Sequence, residues 1–322
     1  MNKCLICNVD FNPFVDFGSM PIANAFSSKE ELQNEYTFDM KVGFCENCNM
    51  VQLVEQPDRG KMFHENYAFF SSTSNYMINH FKTFANSVIT LQGLNEKSFV
   101  VEVGCNDGIM LQNFLSNKIP CLGVEPSKNV ANVAMEKGIE VITEFFDRPL
   151  AQHISKLHQK ADAILSANVM CHIPYIHSIY DGVKSLLKED GVFIFEDPYL
   201  GEIVEKTSFD QIYDEHVFLF SALSVSYLAN MHDLELVNVE PQITHGGSMR
   251  YTIAHKGVKK VSQNVIKLIN KEKKIGLDNK HAYTNFTNSI DKIKDALIAL
   301  LSKLKNDRKK VVAYGATSKS TT

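Results

Sequence analysis

The middle of the chain alternates short apolar runs with amphipathic stretches. Four runs are almost continuously apolar, as is typical of parallel strands buried on both faces of a sheet. They are "SFVVEVG" (98–104), "CLGVEPS" (121–127), "ADAILSANVM" (161–170) and "VFIFEDP" (192–198). The stretches with helical spacing between them are "GIMLQNFLSN" (108–117), "VANVAMEKG" (130–138) and "IYDGVKSLLKEDG" (179–191). This alternation predicts βαβ units around a mostly parallel sheet, which is the α/β class.

Helical patterns flank this region on both sides. Residues 74–92 place apolar side chains at helical spacing behind a Ser-Thr-Ser cap, and residues 262–305 also have a helical pattern. The second segment carries one narrow apolar stripe, made of Tyr283, Phe286, Ile290, Ile293, Leu297, Leu300 and Leu304. We expect this stripe to pack on the same chain rather than to form a free coiled coil.

Three parts are predicted along the chain. Residues 1–60 combine short β segments with turn residues and form a small β-rich domain. Residues 61–260 form the α/β core. Residues 261–322 form a helical linker that ends in "KKVVAYGATSKSTT", a strand and a glycine turn. This ending indicates the start of a truncated C-terminal lobe.

Four of the seven cysteines form two C-x-x-C pairs, Cys4 with Cys7 and Cys45 with Cys48. Two such pairs supply the four thiolates of a tetrahedral zinc site, whereas free or redox-active cysteines are the alternative. Because four protein ligands close the coordination shell, we expect the zinc to be structural.

The overall charge argues against one class of partner. The 322 residues carry a net charge of −4, whereas a nucleic-acid binder presents a face rich in lysine and arginine. The N-terminus lacks the apolar core of a signal peptide, and no apolar run approaches the roughly 20 residues that span a bilayer. We expect a cytoplasmic protein, monomeric or weakly homo-oligomeric, with a small-molecule substrate and neither nucleic-acid nor membrane partners.

The stretch "VVEVGCNDGIML" has the order strand, glycine loop and helix. Gly104 and Gly108 allow the backbone to approach a ligand beside the positive end of a helix. A dinucleotide site requires G-x-G-x-x-G, but Asn106 and Ile109 occupy the second and third glycine positions. The pattern E-x-G-x-x-x-G favours an S-adenosylmethionine (SAM) methyltransferase, and a phosphate or dinucleotide site fits it less well. Glu125, at the tip of the next strand, is placed to accept both ribose hydroxyls.

Further polar side chains follow the third and fourth predicted strands. Because the carboxyl ends of parallel strands form the ligand-binding edge of an open sheet, we expect one active site there. The residues are Asn168 and His172, then Glu196 and Tyr199, then "YDEH" (213–216), and finally Ser248 and Arg250 of "THGGSMRY". The predicted cofactor-binding residues are Gly104, Asn106, Asp107, Gly108, Glu125, Pro126 and Asn168.

Taken in order, these motifs resemble the nucleotide-sugar C-methyltransferase family. They are the paired C-x-x-C cysteines, "FFSSTS", "EVGCNDG", "GVEPS", "SANVMCHIP", "IYDEH", "HGGSMR" and "AYGATSK", and they cover essentially the whole chain. The resemblance implies a Rossmann-like SAM methyltransferase core, an N-terminal zinc-binding domain and a C-terminal Rossmann-like lobe. It also implies a 4-keto nucleotide-linked deoxysugar as the substrate, methylated at C3.

The resemblance also assigns roles to the predicted catalytic residues. The histidine of the family motif Y-x-E-H is the proposed base, which corresponds to His216 here. Its neighbours correspond to Tyr213 and Glu215, and the histidine after the third strand corresponds to His172. Glu215 would orient His216 or hold a sugar hydroxyl, and Tyr213 or His172 would donate to the enolate oxygen.

Two departures from the family pattern leave alternatives open. The family's Y-x-Y-x-S reads Tyr67-Ala68-Phe69-Phe70-Ser71, so one substrate-facing hydroxyl is missing, and the family's C-terminal lobe does not follow Thr322. One alternative is an O- or N-methyltransferase that acts on a related activated sugar or polar metabolite. The other is a zinc-ribbon interaction protein with an inactive methyltransferase fold.

Overall fold

In a computed structural model of the protein, the described residues are 2–23, 28–57, 67 and 69–313. The predicted start of a further lobe lies outside the described residues from position 314 onward. The strands are β1 (Asn2–Lys3), β2 (Asp10–Pro21), β3 (Thr37–Cys45), β4 (Met50–Leu53), β5 (Val100–Val103), β6 (Cys121–Val124), β7 (Glu140–Ile142), β8 (Ala161–Ala167), β9 (Leu187–Pro198), β10 (Phe218–Leu219), β11 (Leu234–Gln242) and β12 (Ser248–His255).

The helices alternate with these strands. They are α1 (Asn75–Gln92), α2 (Leu111–Ser116), α3 (Lys128–Glu136), α4 (Arg148–Leu157), α5 (Ile176–Leu186), α6 (Leu200–Lys206), α7 (Ala222–Met231), α8 (Gln263–Ile275) and α9 (Lys280–Asn306). The helix predicted over 74–92 is confirmed as α1. Its start is capped by the Ser74 side chain, which accepts the Met77 N–H, and it ends at Gly93 in the left-handed conformation.

A seven-stranded sheet in the order β11-β12-β9-β8-β5-β6-β7 forms the core. The strands from β9 to β7 in this order pair in parallel, and β12 and β11 add antiparallel partners at one side. Alternate residues of β9 face opposite helical layers. Phe193 and Phe195 pack in the layer that contains α4, α5 and α7, whereas Val192 and Ile194 pack in the layer that contains α1 and α2. The prediction of the α/β class is therefore confirmed.

A second sheet of five strands, in the order β1-β2-β3-β4-β10, contains the N-terminal residues. Its edge strand β10 comes from the core, because Phe218 pairs with Gln52 and Leu219 with Val51. The N-terminal sheet therefore includes a strand that begins two residues after His216.

The apolar stripe of α9 is covered over only part of its length. Tyr283 and Phe286 are buried, and the Tyr283 ring lies 4.4 Å from that of Phe44 in β3. Further along the helix, Leu297 is 52% exposed and Leu300 is 53% exposed. The expectation that the whole stripe packs on the chain is wrong for this second half, since no described element lies over it.

The helix predicted over 179–191 ends earlier, at Leu186. The residues that follow already belong to β9, where Leu187 pairs with Ala161 and the register shifts before Val192 pairs with Ala163. Lys188 forms an ion pair with Asp162 at 2.7 Å on the adjacent strand. The helical pattern in the sequence continues for five residues beyond Leu186, but strand pairing overrides it there. Strand β7 and helix α4 were not among the predicted elements.

Candidate active site and metal centre

A cavity of about 310 Å³ opens at the carboxyl edge of the large sheet. Most of the predicted site residues line it, from four separate regions of the chain. They are Gly104, Asn106, Glu125, Pro126 and Asn168 of the predicted cofactor set and His172, Tyr213, Glu215 and His216 of the predicted catalytic set. The remaining two predicted cofactor residues, Asp107 and Gly108, are not in the lining.

Gly104 follows β5 with a left-handed φ of +71°. A Cβ atom at this position would lie 2.3 Å from Val169 Cγ2, so a side chain has no room. The close approach brings the glycine loop against the turn after β8 and forms one wall of the cavity.

Glu125 follows β6, and two backbone N–H groups orient its carboxylate. Asn106 donates to Oε2 at 3.0 Å and Ser127 donates to Oε1 at 2.9 Å. Burial raises the pKa of Glu125, and these hydrogen bonds oppose the increase. Because each carboxylate oxygen accepts more than one hydrogen bond, Glu125 can still bind two hydroxyls of a ligand.

Asp107 and Gly108 lie outside the cavity lining. The Asp107 carboxylate accepts the N–H and the hydroxyl of Ser72, and Gly108 packs where a Cβ would lie 2.4 Å from Ile139 Cδ1. The side chain of Asn106 accepts the Ser71 N–H at 2.9 Å. The glycine loop therefore holds the "FFSSTS" segment beside the cavity, and that segment contributes Phe69 to the lining.

Two histidine rings lie side by side in the cavity, with centroids 5.2 Å apart. His216 Nδ1 lies 2.6 Å from the Gln211 carbonyl oxygen, and His172 Nδ1 lies 2.6 Å from the Glu215 carbonyl oxygen. A carbonyl oxygen only accepts, so Nδ1 is the protonated nitrogen in each ring. When such a ring is neutral, Nε2 carries no proton and is the basic nitrogen. A histidine in this form can remove a proton from a substrate.

Burial sets the protonation of the groups around His216. It lowers the pKa of His172 to about 4, so this ring is neutral at pH 7. It also raises the pKa of Tyr213 well above its usual value, and the Tyr213 hydroxyl stays protonated as a hydrogen-bond donor. The Tyr213 and His216 ring centroids are 4.2 Å apart. The cavity thus combines a phenol donor with a candidate base.

Four residues predicted at the same edge have structural roles instead. Glu196 accepts both Arg250 Nη2 at 2.8 Å and His80 Nε2 at 2.7 Å. The Arg250 guanidinium also lies 3.6 Å above the Phe84 ring. Tyr199 is buried, and the Ser248 hydroxyl donates to the Thr244 carbonyl. The alternation of strand side chains turns Glu196 and Arg250 toward α1 and away from the cavity.

The sequence reasoning missed other parts of the lining. His245 lines the cavity from the turn before β12, although the residues predicted from "THGGSMRY" are Ser248 and Arg250. Phe145 and Tyr175 also line it and carried no recognisable signal in the sequence. For His245 a signal was available, because two glycines after it predict a turn and histidine is a side chain that often takes part in catalysis or binding.

The four paired cysteines converge in the N-terminal sheet. The sulfur atoms of Cys4 and Cys48 are 3.5 Å apart, those of Cys7 and Cys45 are 3.4 Å apart, and all four lie within 4.8 Å of one another. A tetrahedral ion with 2.3 Å bonds to sulfur separates its ligands by about 3.8 Å. The cluster therefore fits one zinc ion with a closed shell of four thiolates.

A chain of side chains connects this cluster to the core. His177 Nε2 donates to the carbonyl of Ile6, which lies between Cys4 and Cys7, at 2.9 Å. His177 Nδ1 then contacts His232 Nε2 at 2.8 Å, and His232 Nδ1 contacts Asp181 at 2.8 Å. These contacts fix the metal-binding turn against helix α5.

Among the described residues, no helix has both the length and the apolar character needed to cross a membrane.

Comparison with known proteins gives three matching family models. Residues 76–239 match "Methyltransferase domain", residues 243–322 match "C-methyltransferase C-terminal domain", and residues 4–63 match "Putative zinc binding domain". A curated relative, the C-methyltransferase NovU of Streptomyces niveus, is 30% identical over 324 residues, which cover 99% of this chain and 76% of NovU.

Solved structures with a related fold are more distant in sequence. Magnesium protoporphyrin IX methyltransferase from Synechocystis, solved with bound SAH, is 14% identical with a TM-score of 0.44, over 56% of this chain and 83% of that one. A SAM-dependent methyltransferase from Clostridium acetobutylicum is 13% identical with a TM-score of 0.44, over 58% of this chain and 94% of that one.

Proposed function

This chain belongs to the SAM-dependent C-methyltransferase family, and from that premise we propose that it methylates a carbon atom of a nucleotide-linked keto-deoxysugar, with His216 as the base. One observation carries the proposal. His216, with Nδ1 held by a backbone carbonyl and Tyr213 beside it, lines the same cavity as Glu125. A base, a phenol donor and a candidate ribose acceptor are therefore available to two reactants at once.

The cofactor half of the cavity is assigned to the wall between β5 and β6. Glu125 would hold the ribose hydroxyls, and Gly104 with Asn106 would border the amino acid end. SAM supplies a methyl group on a positively charged sulfur, which a carbon nucleophile can attack. Asp107 and Gly108 would support this half indirectly, since Asp107 holds Ser72 and Gly108 packs on Ile139.

The chain's own residues would generate that nucleophile. A proton on the carbon next to a ketone is weakly acidic, and His216 Nε2 would remove it. The Tyr213 hydroxyl, kept protonated by burial, would donate to the enolate oxygen as negative charge develops there. Glu215 would hold a sugar hydroxyl, while its backbone carbonyl fixes the neutral ring of His172. His172 would then help to bind the substrate without supplying a positive charge.

The choice of a nucleotide-linked deoxysugar depends on the motif order described above, above all on "IYDEH" and "HGGSMR". The relative NovU is a C-methyltransferase by name, which supports attack by carbon rather than by oxygen or nitrogen.

The decisive experiment measures exchange of solvent deuterium into the carbon beside the ketone. A panel of 4-keto nucleotide sugars is incubated with the enzyme and S-adenosylhomocysteine in D₂O, and parallel reactions with SAM are analysed by mass spectrometry. We expect exchange and a product with one new carbon-bound methyl group for at least one sugar. A product methylated on oxygen or nitrogen, formed without exchange, would contradict the proposal.

A further inference from the structure

We propose that His245 binds the acceptor substrate through a hydrogen bond to one of its oxygen atoms. This inference rests on the proposed function, since it assumes that the acceptor occupies the cavity beside His216. Neither the family motif Y-x-E-H nor the cofactor loop includes His245.

The position of His245 separates it from the predicted cofactor wall. It lies in the turn between β11 and β12, and it lines the cavity. In the sheet order β12-β9-β8-β5-β6, three strands separate the β12 side from β6, after which Glu125 lies. A group on the His245 side therefore faces the acceptor rather than the cofactor ribose.

The backbone of His245 is in the left-handed region, with φ 52° and ψ 33°. Non-glycine residues rarely adopt this conformation, although histidine does so more often than most. The turn around it is fixed from several sides. Thr244 donates to Glu196 at 3.1 Å, the Gly246 carbonyl accepts Lys206 Nζ at 2.7 Å, and Gly247 lies against Glu202. A strained residue held by its surroundings at a cavity wall is typical of a functional position.

The other side chains that line the cavity indicate what His245 contributes to binding. Within the described part of the chain, the cavity is lined by neither lysine nor arginine, so its basic side chains there are three histidines. His172 is neutral because burial lowers its pKa to about 4, and His216 has the proposed role of base. His245 is only half-buried, and its imidazole can donate to a sugar hydroxyl or to a phosphate oxygen.

The test separates binding from strain with two variants and a matched control. His245→Asn keeps a residue that tolerates the left-handed region, and His245→Gly removes the strain. Thr207→Gly relieves the same kind of strain (φ 54°) at the end of α6, outside the cavity lining. We expect all three variants to melt at or above the wild-type temperature and to bind SAM with a Kd within about twofold of wild type.

We expect both His245 variants to raise the Kd for the nucleotide sugar about tenfold, measured by calorimetry with S-adenosylhomocysteine present, while Thr207→Gly leaves it unchanged. Binding of the free nucleoside diphosphate identifies the oxygen. A parallel loss indicates a phosphate, and an unchanged Kd indicates the sugar. A wild-type Kd for the nucleotide sugar in a folded His245→Gly protein overturns the assignment, and so does a loss of SAM affinity.

Failure of the proposed function gives a different result. If the wild-type protein itself binds no nucleotide sugar of the panel, the proposed function is wrong, and the assignment of His245 to that acceptor is wrong with it.

Discussion

Asp214 accepts a hydrogen bond from the backbone N–H of Ala23 at 3.1 Å, although 191 positions separate the two residues. Ala23 follows β2 of the N-terminal sheet, whereas Asp214 lies in the chain between Tyr213 and Glu215, which both line the cavity. The Asp214 side chain is almost completely buried. The N-terminal sheet therefore contacts the predicted catalytic segment directly and fixes its backbone.

Asp214 should make stability depend on pH. Burial, with the charge of Glu215, raises the pKa of Asp214 to about 7. Because the pKa is raised on folding, its contribution to stability is fully present below about pH 4 and is lost as the pH rises through 7. Denaturant unfolding of wild type and Asp214→Asn should show their difference in unfolding free energy falling by about 1 kcal/mol between pH 6 and pH 8. Parallel pH curves for the two proteins would contradict this.

Replacement of the proposed base should stop turnover. His216→Asn keeps a polar side chain of similar shape, but asparagine cannot accept a proton near neutral pH. We expect the rate of methylation to fall at least about 10²-fold, with the Kd for SAM nearly unchanged. His153→Asn, at an exposed position of α4, is the matched control and should keep wild-type activity. If a well-folded His216→Asn enzyme retains more than about a tenth of the rate, His172 becomes the next candidate for the base.

Loss of the Glu125 carboxylate should weaken cofactor binding. Glu125→Ala removes two charge-assisted hydrogen bonds to the ribose, each worth about 1.5–3 kcal/mol as an upper range. Calorimetry should show the Kd for SAM rising by one to several orders of magnitude. Glu136→Ala, on the exposed face of α3, provides the control for removal of a negative charge. An unchanged Kd in Glu125→Ala would exclude the ribose role.

The metal content of the protein should be one zinc ion per chain, which elemental analysis measures. Cys7→Ser should lose the zinc and lower the melting temperature, since metal binding and folding are coupled. Cys121→Ser, half-buried at the start of β6 and outside the cluster, should keep it. Because β10 and Asp214 join the N-terminal sheet to the cavity, the Cys7 variant should also lose methylation activity. Full zinc content in Cys7→Ser would exclude this ligand set.

The elements that the sequence predicts well are those with strong local patterns. The continuous apolar runs of β5, β6, β8 and β9 can only be buried on both faces of a sheet, and the C-x-x-C spacing carries the metal site in itself. Strand β10 could not be predicted in this way. A strand of only two residues shows no periodicity in the sequence. Its pairing partners Val51 and Gln52 are also more than 160 positions away along the chain.

In the candidate site, too, long-range contacts between side chains could not be predicted from the sequence. Motif spacing selected Gly104 and Glu125, which line the cavity, together with Asp107 and Gly108, which do not, because spacing does not say which way a side chain points. Glu196 was selected for its place at a strand end. Its partners Arg250 and His80 come from β12 and α1, and only the folded chain brings them to it.

Because β10 belongs to the N-terminal sheet but comes from the core, it determines the smallest fragment of the chain that can fold independently. A core expressed without the first 57 residues would leave the backbone groups of Phe218 and Leu219 unpaired beside Phe220, in a run of apolar side chains. An exposed apolar edge strand recruits other chains, so such a fragment would aggregate rather than report on catalysis. Grafting this cavity onto a relative would accordingly require transplanting the N-terminal sheet with it.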